Sequence, residues 1–197
     1  MPINKFQESM LVFSAMKNNI ENDLRVFKRH IQDEDLKFSL HKKMLIDISS
    51  FLDEWAKFKS YGKDTKIRET FEIVTPAIKR INKWKDIKHM RNTILAHGFR
   101  DKTRSKNLTC LNEKYFEANV PTTYAEVMLL SEFIVYIIAT FICRHKEEHS
   151  IALASVPSYS IKEERGIDTM EEYNNDIKVL ENQLFSKDPS LKDSFKE

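Results

Sequence analysis

The sequence predicts an all-α protein: an up-and-down bundle of about five helices over residues 1–150, followed by a linker and a helical appendage over residues 151–197. Three observations carry that expectation. Apolar residues recur at steps of three and four, the period of an α-helix, through most of the chain. Only 3 glycines and 5 prolines occur in 197 residues, too few for the many turns of a sandwich, a barrel or a glycine-rich nucleotide-binding fold. Hydrophobic residues make up 41%, enough to bury a core in a chain about one domain long.

The first predicted helix carries Ile3, Phe6, Met10, Phe13, Met16, Ile20, Leu24, Phe27 and Ile31. A second begins near Leu36 and carries Leu40, Met44, Leu45, Ile48, Phe51, Leu52, Trp55 and Phe58. It stops before Tyr61-Gly62-Lys63-Asp64, where the glycine supplies the break. A short third helix is predicted from Thr65 to Val74. Thr75-Pro76 has the form of an N-cap followed by proline at the first helical position, where its missing N–H costs nothing.

That cap would start a fourth helix with Ile78, Ile81, Trp84, Ile87, Met90, Ile94 and Leu95, ended by Gly98. Residues 99–121 show no period and form a predicted loop, in which Tyr115 and Phe116 would pack down or stack on bases. Thr122 and Thr123 cap a fifth, strongly apolar helix running to about His149 and expected at the centre of the bundle. Its unbroken apolar run, Phe133 to Cys143, has the length of a core helix rather than a membrane span. After a looser stretch, Ser150 to Gly166, a last amphipathic helix starts at Asp168, paired with Glu171 as a capping box.

Two cysteines, Cys110 and Cys143, make neither a disulfide framework nor a zinc pattern, and no secretory signal is visible, so a cytoplasmic location is expected. The net charge of +2 hides an asymmetry. Residues 79–106 hold ten cations against two acids, a local charge of +8, whereas the chain from Glu147 onward holds twelve acids against six cations. A charged helix face is commonly just solvated, but a concentrated basic segment also suits phosphate backbones.

Within the basic segment lies Met90-Arg91-Asn92-Thr93-Ile94-Leu95-Ala96-His97-Gly98. An arginine followed by a polar residue, with a histidine four to six positions further on, resembles the motif of HEPN domains. Two other pairs have a permitted spacing, Arg25/His30 and Arg144/His149, but only Arg91/His97 has the polar neighbour, the basic surroundings and the closing glycine. Five residues separate Arg91 from His97, where four is the commoner gap. The resemblance implies a helical bundle over about the first 150 residues. It also implies metal-independent RNA cleavage with no cofactor, a homodimer, and a setting in toxin–antitoxin or phage-defence systems, with an antitoxin as protein partner.

The chemistry is consistent with those residue types. A neutral His97 would deprotonate the RNA 2′-hydroxyl for attack on the adjacent phosphate. Arg91 would stabilise the charge growing on the phosphoryl oxygens through its forked donors. Asn92 would orient a group or satisfy the helix end, and Lys88, Arg100 and Arg104 would contact phosphate. Six residues turn an ideal helix by about 240° beyond a full turn and advance it by about 9 Å, so Arg91 and His97 do not share one face. Either the helix loosens before Gly98, or the long arginine reaches round, or two copies complete a composite site, as the dimer implied by the resemblance would.

Two other assignments compete. The bundle would serve as a non-catalytic interaction or regulatory module, with Arg91 in a surface ion pair and His97 at a helix end. His145-Lys146-Glu147-Glu148-His149 matches an inverted zinc-protease signature but needs a third ligand such as Glu171 or Glu172, and no metal is expected.

Overall fold

The computed structural model describes residues 3–91, 118–156 and 169–189. They are all-helical, with no strand among them. The chain divides into two units, residues 1–156 and 157–197. The first contains α1 (Lys5–Arg29), α2 (Glu34–Phe58), a 3-10 turn (Lys59–Tyr61), α3 (Thr65–Ile81), the short α4 (Ile87–Met90), α5 (Tyr124–Arg144) and α6 (Lys146–Ala154). The second contains α7 (Met170–Lys187).

Local chemistry explains where α1 and α2 begin. Asn4 accepts the Gln7 N–H at 2.9 Å while the Gln7 side chain accepts the Asn4 N–H at 3.0 Å, a reciprocal capping box. Asp33 caps α2 by accepting the Leu36 N–H at 2.9 Å. The apolar stripes meet in one core, with Met10, Phe13, Ile20 and Phe27 of α1 against Met44, Leu45, Ile48 and Phe51 of α2. Ser9 donates to the buried Glu54 at 2.8 Å across the same interface. Gly62 closes the turn after Tyr61 with φ −64°, a conformation any residue adopts. Size is what the turn needs there, because a Cβ would lie 3.3 Å from the Lys59 carbonyl oxygen and 3.4 Å from the Phe71 ring.

Four predicted boundaries are corrected. Thr75-Pro76 starts no helix: α3 runs through it, and the Thr75 hydroxyl donates back to the Phe71 carbonyl at 2.8 Å. Proline removes one backbone hydrogen bond there. The helix persists because Ile67, Thr70, Val74, Ile78 and Ile81 form one buried stripe, and α3 packs against α5. The predicted fourth helix is interrupted at Asn82–Asp86. Asp86 instead exchanges hydrogen bonds with Asn119, accepting its N–H at 2.8 Å and donating to its carbonyl at 3.2 Å, and α4 starts only afterwards. Its predicted continuation through Ile94 to Gly98 lies outside the described residues, as does the loop as far as residue 117.

The third correction is at His145. The fifth helix stops at Arg144 and a separate α6 begins at Lys146, because His145 turns its ring into the interior against Thr70, Phe6 and Phe141. Thr123 caps α5 as expected, accepting the Glu126 N–H at 3.2 Å. α5 packs against α1, α2 and α3 through Val127, Leu130, Ile134, Val135, Ile137, Ile138 and Phe141. It is also the one helix among the described residues long and apolar enough to cross a membrane. In the second unit, Thr169 rather than Asp168 caps α7, in a box with Glu172 at 3.1 Å in both directions. Asp168 lies outside the described residues.

Candidate functional site

α4 is only one turn long, but two buried anchors fix its orientation. Ile87 and Met90 face the core, so Lys88 and Arg91, three positions apart on the same outer side, project away from it. Both reach one carboxylate of α2. The Lys88 ammonium lies 2.6 Å from Asp53 Oδ1, and Arg91 Nη1 lies 2.7 Å from Asp53 Oδ2. Each oxygen of Asp53 therefore serves one cation.

Hydrogen bonding to Lys88, and the charges of Lys88 and Arg91, hold the Asp53 carboxyl below its ordinary value against a smaller opposing effect of burial. Asp53 is 44% exposed, so water screens the pair and its effect on global stability is small. Its geometric effect is larger. Two cations share one negative charge, and one edge of the Arg91 guanidinium is tethered by Asp53. Above the cluster in sequence, Arg80 sits over the Trp84 ring at 5.8 Å, adding a cation to the same basic segment.

Lys88 and Arg91 are thus brought together on one carboxylate. Asn92, His97, Arg100 and Arg104 lie outside the described residues. Asp53 was missed by sequence reasoning. It is 38 residues before Arg91, and nothing in its own surroundings, Leu52-Asp53-Glu54, sets it apart from other acids on helix faces.

The two competing arginine–histidine pairs have other duties. Arg25 bonds Asn22 at 2.7 Å on its own helix, and His30 ends α1. Arg144 is tied to α3 through Thr70 at 2.9 Å and Glu69 at 3.0 Å, whereas His149 reaches Ser14 of α1 at 3.3 Å.

The zinc-signature histidines diverge as well. His145 is 1% exposed with Nε2 3.1 Å from Thr70 Oγ1. Because the Thr70 hydroxyl already donates to the Lys66 carbonyl at 2.8 Å, Nε2 of His145 must be the donor of that contact. Among the described residues no group of three or more histidine, cysteine, aspartate or glutamate side chains is gathered as metal ligands would be.

Burial holds the His145 imidazole below its ordinary pKa; nearby Glu148 opposes this, and Lys66 and Arg144 reinforce it. Burial depresses His41 too, against a backbone hydrogen bond with Pro121. For both, the unfolded chain binds a proton more readily than the folded one, so stability falls as pH drops below about 6.5. Thermal unfolding midpoints measured from pH 7.5 to 5.5 should decline, and His145→Gln should flatten the decline. A midpoint that rises on acidification would contradict this.

Compared with known protein families, with curated proteins and with solved structures, the chain matches none. What the described residues define is an all-helical protein with a carboxylate-anchored pair of cations on its surface.

Proposed function

We propose that the chain is a HEPN-type, metal-independent endoribonuclease. In this reading RNA is cut by attack of a 2′-hydroxyl on the adjacent phosphate, leaving a 2′,3′-cyclic phosphate and a 5′-hydroxyl. The observation that carries it is the tethering of Arg91. A guanidinium held by Asp53 at the end of α4, six positions before His97, keeps donors in hand for a phosphoryl group and loses little freedom when it engages one. His97 is the general base, Asn92 assists, and Lys88, Arg100 and Arg104 hold the backbone of the RNA.

The finer architecture belongs to the same proposal. An up-and-down bundle is supported by the pairing of α1 with α2 and of α5 with α1, α2 and α3. A homodimer would bring two motifs to one cleft and remove the difficulty that Arg91 and His97 do not share a helix face. Light scattering at micromolar concentration should give twice the chain mass of 23.3 kDa, and a monomeric mass would count against the composite site. A cytoplasmic setting in toxin–antitoxin or phage-defence systems, with an antitoxin as partner, completes the reading.

A second reading, an interaction module without catalysis, is favoured by one observation. Within its own unit α7 buries no residue, and Met170, Tyr173, Ile177 and Leu180 are all exposed along its apolar side. The deciding experiment is incubation of the purified chain with mixed RNA in EDTA, followed by analysis of product ends. Cyclic phosphates support the ribonuclease. No cleavage and no RNA binding leave the interaction module.

A further inference from the structure

α5 is the most apolar helix among the described residues, yet less than half of its apolar stretch is buried. The face turned away from α1, α2 and α3 carries Ala125, Leu129, Phe133, Tyr136, Thr140 and Cys143, at steps of three and four. Leu129 is 42% exposed and Tyr136, near mid-stripe, 68%, while Ala125 and Cys143 stand exposed at the two ends. The solvent side of a helix on a folded unit is ordinarily charged. Here no charge occurs from Phe133 to Cys143, and the one acid beside mid-stripe, Glu132, is held by Lys28 of α1 at 2.6 Å. An uncovered apolar stripe of that length, about 27 Å at ~1.5 Å per residue, marks a contact surface.

The order of residues along the stripe says what covers it. Set against its own reverse, the stripe matches itself. Ala125 falls opposite Cys143 of the second copy, Leu129 opposite Thr140 of the second copy, and Phe133 opposite Tyr136 of the second copy. The small side chains at both ends let the two backbones approach. Charge follows the same order. Glu126 forms no ion pair among the described residues. It lies five helical turns before Arg144, on the same side of α5, where Arg144 bonds Thr70 and Glu69 of α3. With a two-fold axis between antiparallel helices, each Glu126 comes to the level and the side of Arg144 of the second copy. A parallel pair would instead bring the two Glu132 carboxylates to one level and leave Glu126 about 27 Å along the axis from Arg144 of the second copy. We propose that two copies of the chain join along α5, antiparallel, about a two-fold axis passing between Phe133 and Tyr136. None of Lys88, Arg91 or Asp53 lies on this face, so the contact is independent of the ribonuclease reading and different from a pairing of motifs.

Light scattering of the full chain at tens of micromolar should give twice 23.3 kDa. Tyr136→Glu places two unpaired carboxylates at the centre of the contact and should return the mass to 23.3 kDa. Tyr136 is exposed in the single chain, so that variant should keep the helical circular dichroism of the wild type. Glu126→Lys should weaken the dimer about tenfold, since it turns two attractions into two repulsions. Cross-linking with a short bismaleimide in a Cys110→Ser background reads the orientation. Ala125→Cys should be joined to Cys143 of the second copy. Cys143 alone should not be joined to its counterpart, about 25 Å away along the axis of an antiparallel pair.

A wild-type chain that stays monomeric overturns the proposal, and its sedimentation with phosphatidylglycerol vesicles would assign the stripe to a lipid surface. A dimer that survives Tyr136→Glu overturns it too and puts the contact elsewhere, a pairing of motifs included. Cross-linking through Cys143 alone, or a dimer indifferent to Glu126→Lys, overturns the antiparallel order. RNA cleavage is not a readout of this contact, so the enzyme reading stands or falls separately.

Discussion

Phe58→Ala should lower the unfolding free energy of the chain by about 3–5 kcal/mol, among the largest costs a single truncation produces. The Phe58 ring is fully buried at the end of α2. Around it stand Phe13 at 4.6 Å, Phe141 at 4.9 Å, Phe6 at 5.2 Å and Tyr61 at 5.6 Å between ring centroids, so α1, α2, the 3-10 turn and α5 all meet on one side chain. Those neighbours belong to different helices whose own caps and hydrogen bonds resist movement, so the vacated space is not refilled. The cost is the lost transfer free energy plus the cavity left behind. At about 2–4 °C per kcal/mol for a unit of this size, the midpoint should drop by roughly 10 °C. Phe38→Ala is the control: Phe38 is 56% exposed, and its removal should shift the midpoint very little. A Phe58→Ala loss under about 1 kcal/mol would mean that the aromatic cluster rearranges freely, contrary to the packing of a native core.

Arg91→Ala and His97→Ala should each abolish RNA cleavage in EDTA, with a loss of about 10²-fold to 10⁴-fold expected for removal of a general base or of a charge-stabilising donor. Arg25→Ala and His149→Ala should leave the activity alone, since those residues serve contacts at Asn22 and Ser14. Asp53 gives a sharper result, because its two roles move opposite ways. Asp53→Asn removes the negative charge shared by Lys88 and Arg91, so RNA should bind more tightly and lose affinity more steeply with salt. The same change loosens the guanidinium, so kcat should fall while KM improves. A variant with unchanged kcat and unchanged salt dependence would leave the Asp53 cluster as an ordinary surface ion pair. Cleavage surviving in His97→Ala would remove the histidine from the mechanism.

The candidate site was only partly legible in the chain. Lys88 and Arg91 are conspicuous because cations crowd residues 79–106, and their three-residue spacing puts them on one side of any helix. The carboxylate that joins them comes from a different helix, and no local pattern announces such a pairing. His145, met in sequence as one half of a histidine pair, is an interior residue bonded to Thr70.

By itself the sequence determined that the chain is helical, and which faces of α1, α2 and α5 turn inward, because a period of three to four residues and a capping side chain act within one or two turns. Tertiary structure decided where the helices stop. Pro76 is tolerated inside α3 because burial against α5 outweighs one lost hydrogen bond. Asn82–Asp86 breaks a continuous apolar period because Asp86 is bound to Asn119. His145 ends α5 because its ring enters the core beside Thr70 and Phe141. Each of these outcomes depends on a partner more than thirty residues away or on a neighbouring helix, and contacts of that range carry energies a local pattern does not encode.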